Sequence, residues 1–429
     1  MNRDGDPTGP RRRVPFADLG GRYRKLWSAS AVSNLGDGLD SAALPLLTAL
    51  LTRDPLLFAG VAIANKLPWL LFSLQAGAIA DRADRKRLMG TVNLVRFVLM
   101  ATLGVAVLGE WATIWMLYVV AFALGVGETL FDNAAQAFMP ALVRRDQLEK
   151  ANGRLFAAEI VNNQFVGPPL GGFLFGIAAA LPILLDAGTY AISAALILAI
   201  PGTYAAQRAT QPGVRRRMRS EIAEGLRWLW SHRLLRALGL MLGVLNGMAS
   251  AGFAIFALFA LEILGVSEFG FGVLLTMTAA GSVLASLVAE RVVDRFGRAA
   301  ALIASVVIFG ATSLGIGLTS SAIVVGALSA MAGFGTVIWN IITVSLRQTI
   351  IPDELLGRVN SVYRFLGWGS MPLGALLGGG LATVFGLRAP FLVGGAVMLV
   401  ALVPLLRVVN RRTIEEARAA AAGRGMEED

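Results

Sequence analysis

Gly77-Ala-Ile-Ala-Asp81-Arg82-Ala-Asp84-Arg85-Lys86-Arg87 is a short charged loop between two long apolar stretches. Asp294-Arg295-Phe-Gly297-Arg298 occupies the matching place in the second half of the chain. Two further pairs follow in the same order. Asp146-x-Leu148-x-x-x-Asn152 corresponds to Glu354-x-Leu356-x-x-x-Asn360, and Gly171-Gly172 corresponds in the same register to Gly379-Gly380. Three aligned pieces in one order mark a duplication, each copy contributing a half that places the Asp-Arg-x-x-Arg loop after its second apolar segment.

The segments around those loops decide the solvent. Of 429 residues, 56% are hydrophobic and 15% charged, with no cysteine and one histidine. A soluble protein carries about 25% charged residues, and a membrane-crossing helix needs ~20 mostly apolar ones. Twelve such windows are found. Six lie in the first half, at 26–52, 56–80, 89–109, 111–139, 155–177 and 180–201. Six lie in the second, at 237–264, 270–289, 299–319, 321–346, 360–385 and 388–406. The expected fold class is an all-α membrane protein with twelve transmembrane helices as two parallel six-helix repeats.

Lysine and arginine settle the expected orientation. One set of loops and tails holds Arg11-Arg12-Arg13, Arg82, Arg85-Lys86-Arg87, Arg144-Arg145, Arg215-Arg216-Arg217, Arg347, Arg358 and Arg411-Arg412. The opposite loops hold only Arg53 and Arg388. Both termini are therefore expected in the cytoplasm, with the chain in a bacterial cytoplasmic (inner) membrane. The net charge of +10 has a topological origin, against anionic headgroups. A nucleic-acid partner is not expected, because no folded domain interleaves aromatics with the basic residues. The polar, Arg-rich start does not read as a cleaved signal peptide.

The division follows as a cytoplasmic tail over 1–25, a six-helix bundle over 26–201, a linker over 202–236, a second bundle over 237–406 and a tail over 407–429. In the linker, Ile222, Leu226, Leu229 and Trp230 recur at helical spacing among Arg and Glu, so a helix lying along the membrane surface is expected.

Ionisable residues at bilayer depth cost at least ~2.5–3.5 kcal/mol each and need a partner or a water-filled cavity. Asp37 and Asp40 fall near the middle of the first window, with Asn34 and Ser41 a turn to either side of Asp37. Lys66 lies at a similar depth in the second window and is the expected partner of Asp37. Glu128, Asp132 and Gln136 follow at i, i+4 and i+8 on one face of the fourth window. Asp37, Asp40, Lys66, Glu128 and Asn34 are thus the candidates for coupling protons to substrate. Arg96 and Arg364 read as anchors of helix ends or pairs across the interface, and Glu159 as a partner for either. Gly167, Gly171, Gly172, Gly374 and Gly378 are spaced for close helix approach, and Pro168-Pro169 should bend its helix. Trp69, Phe131, Phe138, Trp339, Phe365 and Trp368 are candidates to line an apolar cavity.

These residues resemble the major facilitator superfamily over nearly the whole chain. The first loop is similar to that family's signature Gly-x-x-x-Asp-Arg-x-Gly-Arg-Arg, with Asp84 where the pattern has glycine. The second copy keeps Gly297 and has Glu290 at the leading glycine. Gly167-Pro168-Pro169-Leu170-Gly171-Gly172 is similar to the end of the antiporter signature. Asn34-Leu-Gly36-Asp37, Leu67-Pro68-Trp69 and Gly127-Glu128-Thr-Leu-Phe131-Asp132 resemble the drug:proton antiporter branch that includes the enterobactin exporter and Tap-type multidrug pumps. The resemblance implies a cytoplasmic gate made of Gly77, Asp81, Arg82, Arg85, Asp132, Asp294, Arg295 and Arg298, with Asp132 latching onto Arg85. It also implies a monomer.

No Gly-x-x-x-x-Gly-Lys-Ser/Thr phosphate loop is present. One histidine and no cysteine leave no metal cluster or nucleophile–His pair, so neither an enzyme, a metal nor a cofactor is expected. The expected function is proton-coupled export of a drug or a siderophore-like amphipathic small molecule by alternating access, driven by the proton gradient. A lysophospholipid or nutrient facilitator of the same fold, or a transporter-like membrane sensor, is the alternative.

Overall fold

The computed structural model describes residues 19–80, 82–144, 147–204 and 218–425. Among these the chain is helical throughout, with no β-strand. The first half comprises α1 (Gly20–Leu51), α2 (Pro55–Ala80), α3 (Arg85–Leu108), α4 (Ile114–Phe138), α5 (Leu148–Glu159), α6 (Gly167–Ile177) and α7 (Ala180–Leu198). A connecting helix α8 (Met218–Ser231) leads to α9 (Arg233–Phe253), α10 (Phe256–Glu262), α11 (Glu268–Phe296) and α12 (Arg298–Leu318). The chain continues with α13 (Ala322–Ile350), α14 (Asp353–Phe385), α15 (Ala389–Leu406) and α16 (Arg411–Gly425). Among the described residues, ten helical segments are long and apolar enough to cross a membrane. The helix α1 and the rod built from α5 and α6 pack among those ten but are interrupted by polar residues.

Helix starts are written locally. Thr113, Ser267 and Ser321 each accept a hydrogen bond from the backbone N–H three residues on, satisfying a donor that the first turn leaves free. The last turn of α7 receives cations. Lys25 Nζ donates to the Ala199 carbonyl at 2.7 Å and Lys86 Nζ to that of Ile200 at 3.1 Å, complementing the negative helix end.

The duplication appears as repeated packing. In the first half α1 packs on α7 and α6, α3 on α7 and α4, and α2 on α4. In the second, α9 packs on α15 and α14, α12 on α15 and α13, and α11 on α13. The contacts between halves repeat as well: α2 meets α14, and α6 meets α11. One pattern of neighbours, used twice, is what a duplicated six-helix unit requires.

Pro168 and Pro169 lack the N–H groups that a continuing α-helix would use. The backbone accommodates them with a π-helical stretch over Ile160–Val166 between α5 and α6. Beyond it the glycines let helices touch. A Cβ on Gly167 would collide with the backbone of Gly38 on α1, one on Gly171 with Leu39, and one on Gly172 with Glu268 on α11. The first two contacts lie within a half and the third joins the halves. In the second half, Gly374 and Gly378 meet the backbone of Gly247 and Ala251 in the same way.

One hydrophobic cluster crosses between the halves on the side away from the termini, uniting Leu46, Phe58 and Phe175 with Phe256, Phe259, Phe271 and Phe391. Arg53 and Glu262 add an ion pair at 3.2 Å there. On the terminal side the core divides. Tyr23, Met89 and Phe138 belong to a cluster of the first half, and Leu235, Trp339 and Leu346 to one of the second. The halves are thus sealed together at one end and separately packed at the other. Outward-facing apolar residues such as Ile323, 86% exposed, and Val400, 69% exposed, fit a lipid surround.

The connecting helix belongs to the second half. Gly225 lies against Arg358, whose guanidinium donates to Glu224 at 2.8 Å. Leu229 is fully buried in the second-half cluster, whereas Leu226 and Trp230 are exposed. His232 caps the following helix by accepting from Leu235 N. Residues 205–217, including Arg215-Arg216-Arg217, lie outside the described residues, as do Arg11-Arg12-Arg13.

Candidate functional site

The helices α1, α3, α4 and α7 bring acidic side chains around one arginine in the interior of the first half. Asp37 accepts a 2.6 Å hydrogen bond from Tyr190 Oη on α7. Arg96 on α3 is buried, with its guanidinium carbon 5.3 Å from the Tyr190 ring centroid and 5.6 Å from that of Phe131. Asp37, Glu128, Asp132 and Tyr190 all act on that guanidinium. One turn beyond Asp37, Asp40 is buried, and the fully buried carboxyl of Asp186 is the charged group that bears on it most. Thr189 Oγ1 donates to Asp186 Oδ1 at 3.0 Å, while among the described residues no N–H or O–H donor reaches Asp40 Oδ1 or Asp186 Oδ2. Asn93 Nδ2 donates to Ser193 Oγ at 2.9 Å, fastening α3 to α7 below the cluster.

The glycines of the sequence motifs now have a reason. A Cβ on Gly36 would overlap the Asp186 carboxyl and the Thr189 hydroxyl, so glycine lets α7 present its acid against α1. A Cβ on Gly127 would stand 2.9 Å from Arg96 Nε, so glycine makes room for the guanidinium beside α4.

Several expectations are corrected. Lys66 was expected beside Asp37; the groups that bear on Asp37 are Arg96, Tyr190 and Glu128. Lys66 is half-buried on α2 and makes no ion pair among the described residues. Arg96 anchors no helix end and crosses no interface, because its helix aims it into the first half. Asp132 was expected to latch onto Arg85; the groups acting on it are Glu128, Arg96, Asp37 and Glu159. It faces the cluster because i and i+4 share a helix face with Glu128. Glu159, at the end of α5, faces Asp37 and Glu128 rather than an arginine. Asn34 stays local, donating to Ser30 Oγ at 3.2 Å. Phe138 and Trp339 are buried in the two terminal-side cores rather than lining a cavity.

In the first charged loop Asp81 lies outside the described residues. Gly77 and Arg85 are half-buried and Arg82 is exposed. Asp84, the departure from the family pattern, caps α3. Its carboxylate accepts from Arg87 N at 3.0 Å and from Tyr204 N at 2.9 Å, tying α3 to the chain leaving α7. Partial burial pushes this carboxyl up, but those backbone hydrogen bonds and the Lys86 and Arg87 charges outweigh it and hold it below the usual range. In the second loop Asp294 and Arg295 are exposed and Arg298 is half-buried. Gly297, at φ +79°, makes the turn between α11 and α12.

The second half offers a different surface. A cavity of about 450 Å³ is walled by α9, α13 and α14, with Asn246, Asn340, Gln348, Arg347, Arg364 and Trp368 among its lining. Trp368 stacks on Trp69 of α2, with ring centroids 5.3 Å apart, so the cavity wall passes from one half to the other.

Residues 14–428 match the family of transmembrane secretion effectors. The chain belongs to that major facilitator family. The chain is 27% identical over 379 residues to the multidrug efflux pump Tap of Mycolicibacterium fortuitum, covering 85% of this chain and 90% of that protein. It is 22% identical to macrolide efflux protein A of Streptococcus pyogenes, over 88% of this chain and 93% of that one. Among solved structures, it resembles a bacterial homologue of the iron transporter ferroportin in an inward-facing state. The TM-score there is 0.74 at 15% identity, covering 93% of this chain and all of the other. A point mutant of the nucleoside transporter NupG matches at TM-score 0.73 and 10% identity, over 90% of this chain and 99% of that one. At such identities these two likenesses speak to the fold alone.

Sequence reading missed Asp186 and Tyr190. Asp186 carries a usable signal, being the one acid in an otherwise apolar membrane-length helix. Tyr190, one turn on, carries none, because a tyrosine in such a helix has many ordinary uses.

Proposed function

We propose that this protein is a proton-coupled exporter of amphipathic small molecules, of the drug-efflux kind, in the bacterial cytoplasmic membrane. The gathering of Asp37, Glu128, Asp132 and Asp186 about the guanidinium of Arg96, with Asp40 beside Asp186 and Asp37, carries this reading. So many carboxyls in a membrane interior exceed what one arginine neutralises, and the excess calls for bound protons or a cationic guest. Asp37 is the chosen coupling residue because it joins the hydrogen bond from Tyr190 to the charge of Arg96. The basic bias of the terminal side supports a cytoplasmic position for both termini. The separately packed terminal-side cores then correspond to a cavity reached from the cytoplasm or the inner leaflet. Parallel six-helix repeats of this kind rock about a central site, so proton arrival at the acid cluster and substrate departure alternate. The efflux functions named for the relatives in M. fortuitum and S. pyogenes support the direction of transport.

The test is accumulation of a cationic dye, tetracycline, a macrolide and a catecholate siderophore in cells expressing wild type or Asp37→Asn, with and without a proton ionophore. Wild type with an intact gradient is expected to lower accumulation of at least one compound several-fold, and the variant to lose that effect while remaining folded in the membrane. Export that survives both the ionophore and the substitution would refute proton coupling through Asp37.

A further inference from the structure

The cavity of the second half has a polarity opposite to the acid cluster of the first. Among the described residues, both of its charged lining residues are arginines, and its remaining polar lining consists of amides, a tyrosine and a tryptophan, with no carboxylate. Arg347 is held in place. Its Nη1 donates to Asn360 Oδ1 at 3.3 Å and its Nε to the Thr343 carbonyl at 3.3 Å, while its guanidinium carbon lies 4.6 Å from the Tyr363 ring centroid. The charged or titratable groups acting on it are Tyr363 and a second arginine, Arg364, and no acid is among them. Arg364 is exposed to the cavity and makes no ion pair among the described residues. It stands ~16 Å along α14 from the start of that helix at 1.5 Å per residue.

Two neighbouring cations at such a position repel each other, and each is costly without an anion. The guanidinium fork matches the two oxygens of a carboxylate, and its amide neighbours supply further donors. Trp368, stacked on Trp69, adds a flat aromatic face one turn from Arg364.

We propose that this cavity binds the carboxylate of an aromatic compound, the anion on Arg364 and Arg347 and the ring along Trp368. The inference rests on reading the chain as an exporter with its substrate between the halves, and it narrows the substrate class to aromatic acids and zwitterions.

The test is equilibrium binding, by fluorescence anisotropy, of norfloxacin and its ethyl ester to the full-length protein in phosphatidylcholine nanodiscs. The two probes share an aromatic body and an amine and differ in the carboxylate. The acid is expected to bind at least tenfold more tightly than the ester. Arg364→Ala should abolish the preference, and Arg364→Lys should retain part of it, as a purely structural role would not. Equal affinities, a preference for the ester, no binding of the acid up to millimolar concentration, or a preference that survives Arg364→Ala would each overturn the proposal. No gradient is present in the nanodisc, so a failure of proton coupling leaves this result untouched. Gradient-driven export without any acid–ester preference would remove only the carboxylate site.

Discussion

The two halves share one arrangement of helices and differ in what they place at its centre. In the first, Arg96 is closed in among carboxyls, and glycines at 36 and 127 hold the surrounding backbones close. In the second, Arg347 and Arg364 face an open cavity with no acid among its described lining residues. A duplicated scaffold thus carries opposite charge in its two copies, and it does so with opposite burial. The acid cluster is built to hold its charges in the protein, whereas the arginine cavity leaves room for an anion from outside.

The sharpest way to break this contrast is to remove one arginine from each half. Arg96→Ala leaves buried carboxylates without their cation and should cost about 3–5 kcal/mol, seen as a large fall in the detergent melting temperature. Adding Asp37→Asn should recover part of that loss, because it removes one of the stranded charges. Arg364→Ala, on the cavity surface, should change stability by no more than about 0.5 kcal/mol. Equal losses at the two sites would end the comparison. A smaller effect sharpens the account of the acid cluster itself. Tyr190→Phe deletes the 2.6 Å hydrogen bond to Asp37 and should cost about 1.5–3 kcal/mol, as for a bond to a charged group.

The smallest effect lies at the loop. Asp84→Ala removes a helix cap worth about 1 kcal/mol. The folded Asp84 carboxyl is held below its ordinary value, so its stabilisation is present above the unfolded pKa, about 3.9. It is lost as pH falls through the lower folded value. Melting of wild type and Asp84→Ala should therefore differ at neutral pH and converge under acid. A difference that persists unchanged at low pH would assign the loop's stability to something other than this carboxylate.

Much of the site was legible in the chain, but unevenly. Asp37, Asp40 and Glu128 stand out because an acid in an apolar helix has no neutral explanation. Their partners do not. Lys66 matches Asp37 in depth but sits on α2, and the packing order sends α1 against α7 instead, so Tyr190 receives the contact. Asp84 looked like a defect in the loop motif and proved to be a cap. Arg347 looked like one more basic residue at a helix end, and only the fold of α13 against α14 turned it into a cavity wall. Pro168 and Pro169 announced a bend, which the chain took as a π-helical stretch upstream rather than a break.

The sequence by itself determined what depends on local composition and spacing: a membrane-spanning all-α chain, its duplication, the bias of positive charge to one side and the points of closest helix approach. Those properties follow from hydropathy and from side-chain size within single helices. Only the tertiary structure decided which charges meet, because Asp37 and Tyr190 are 153 residues apart, and so are the halves joined through Trp69 and Trp368 brought together from distant segments. Helix rotation and neighbour choice set those encounters. Both come from the packing of whole faces, which no single segment encodes.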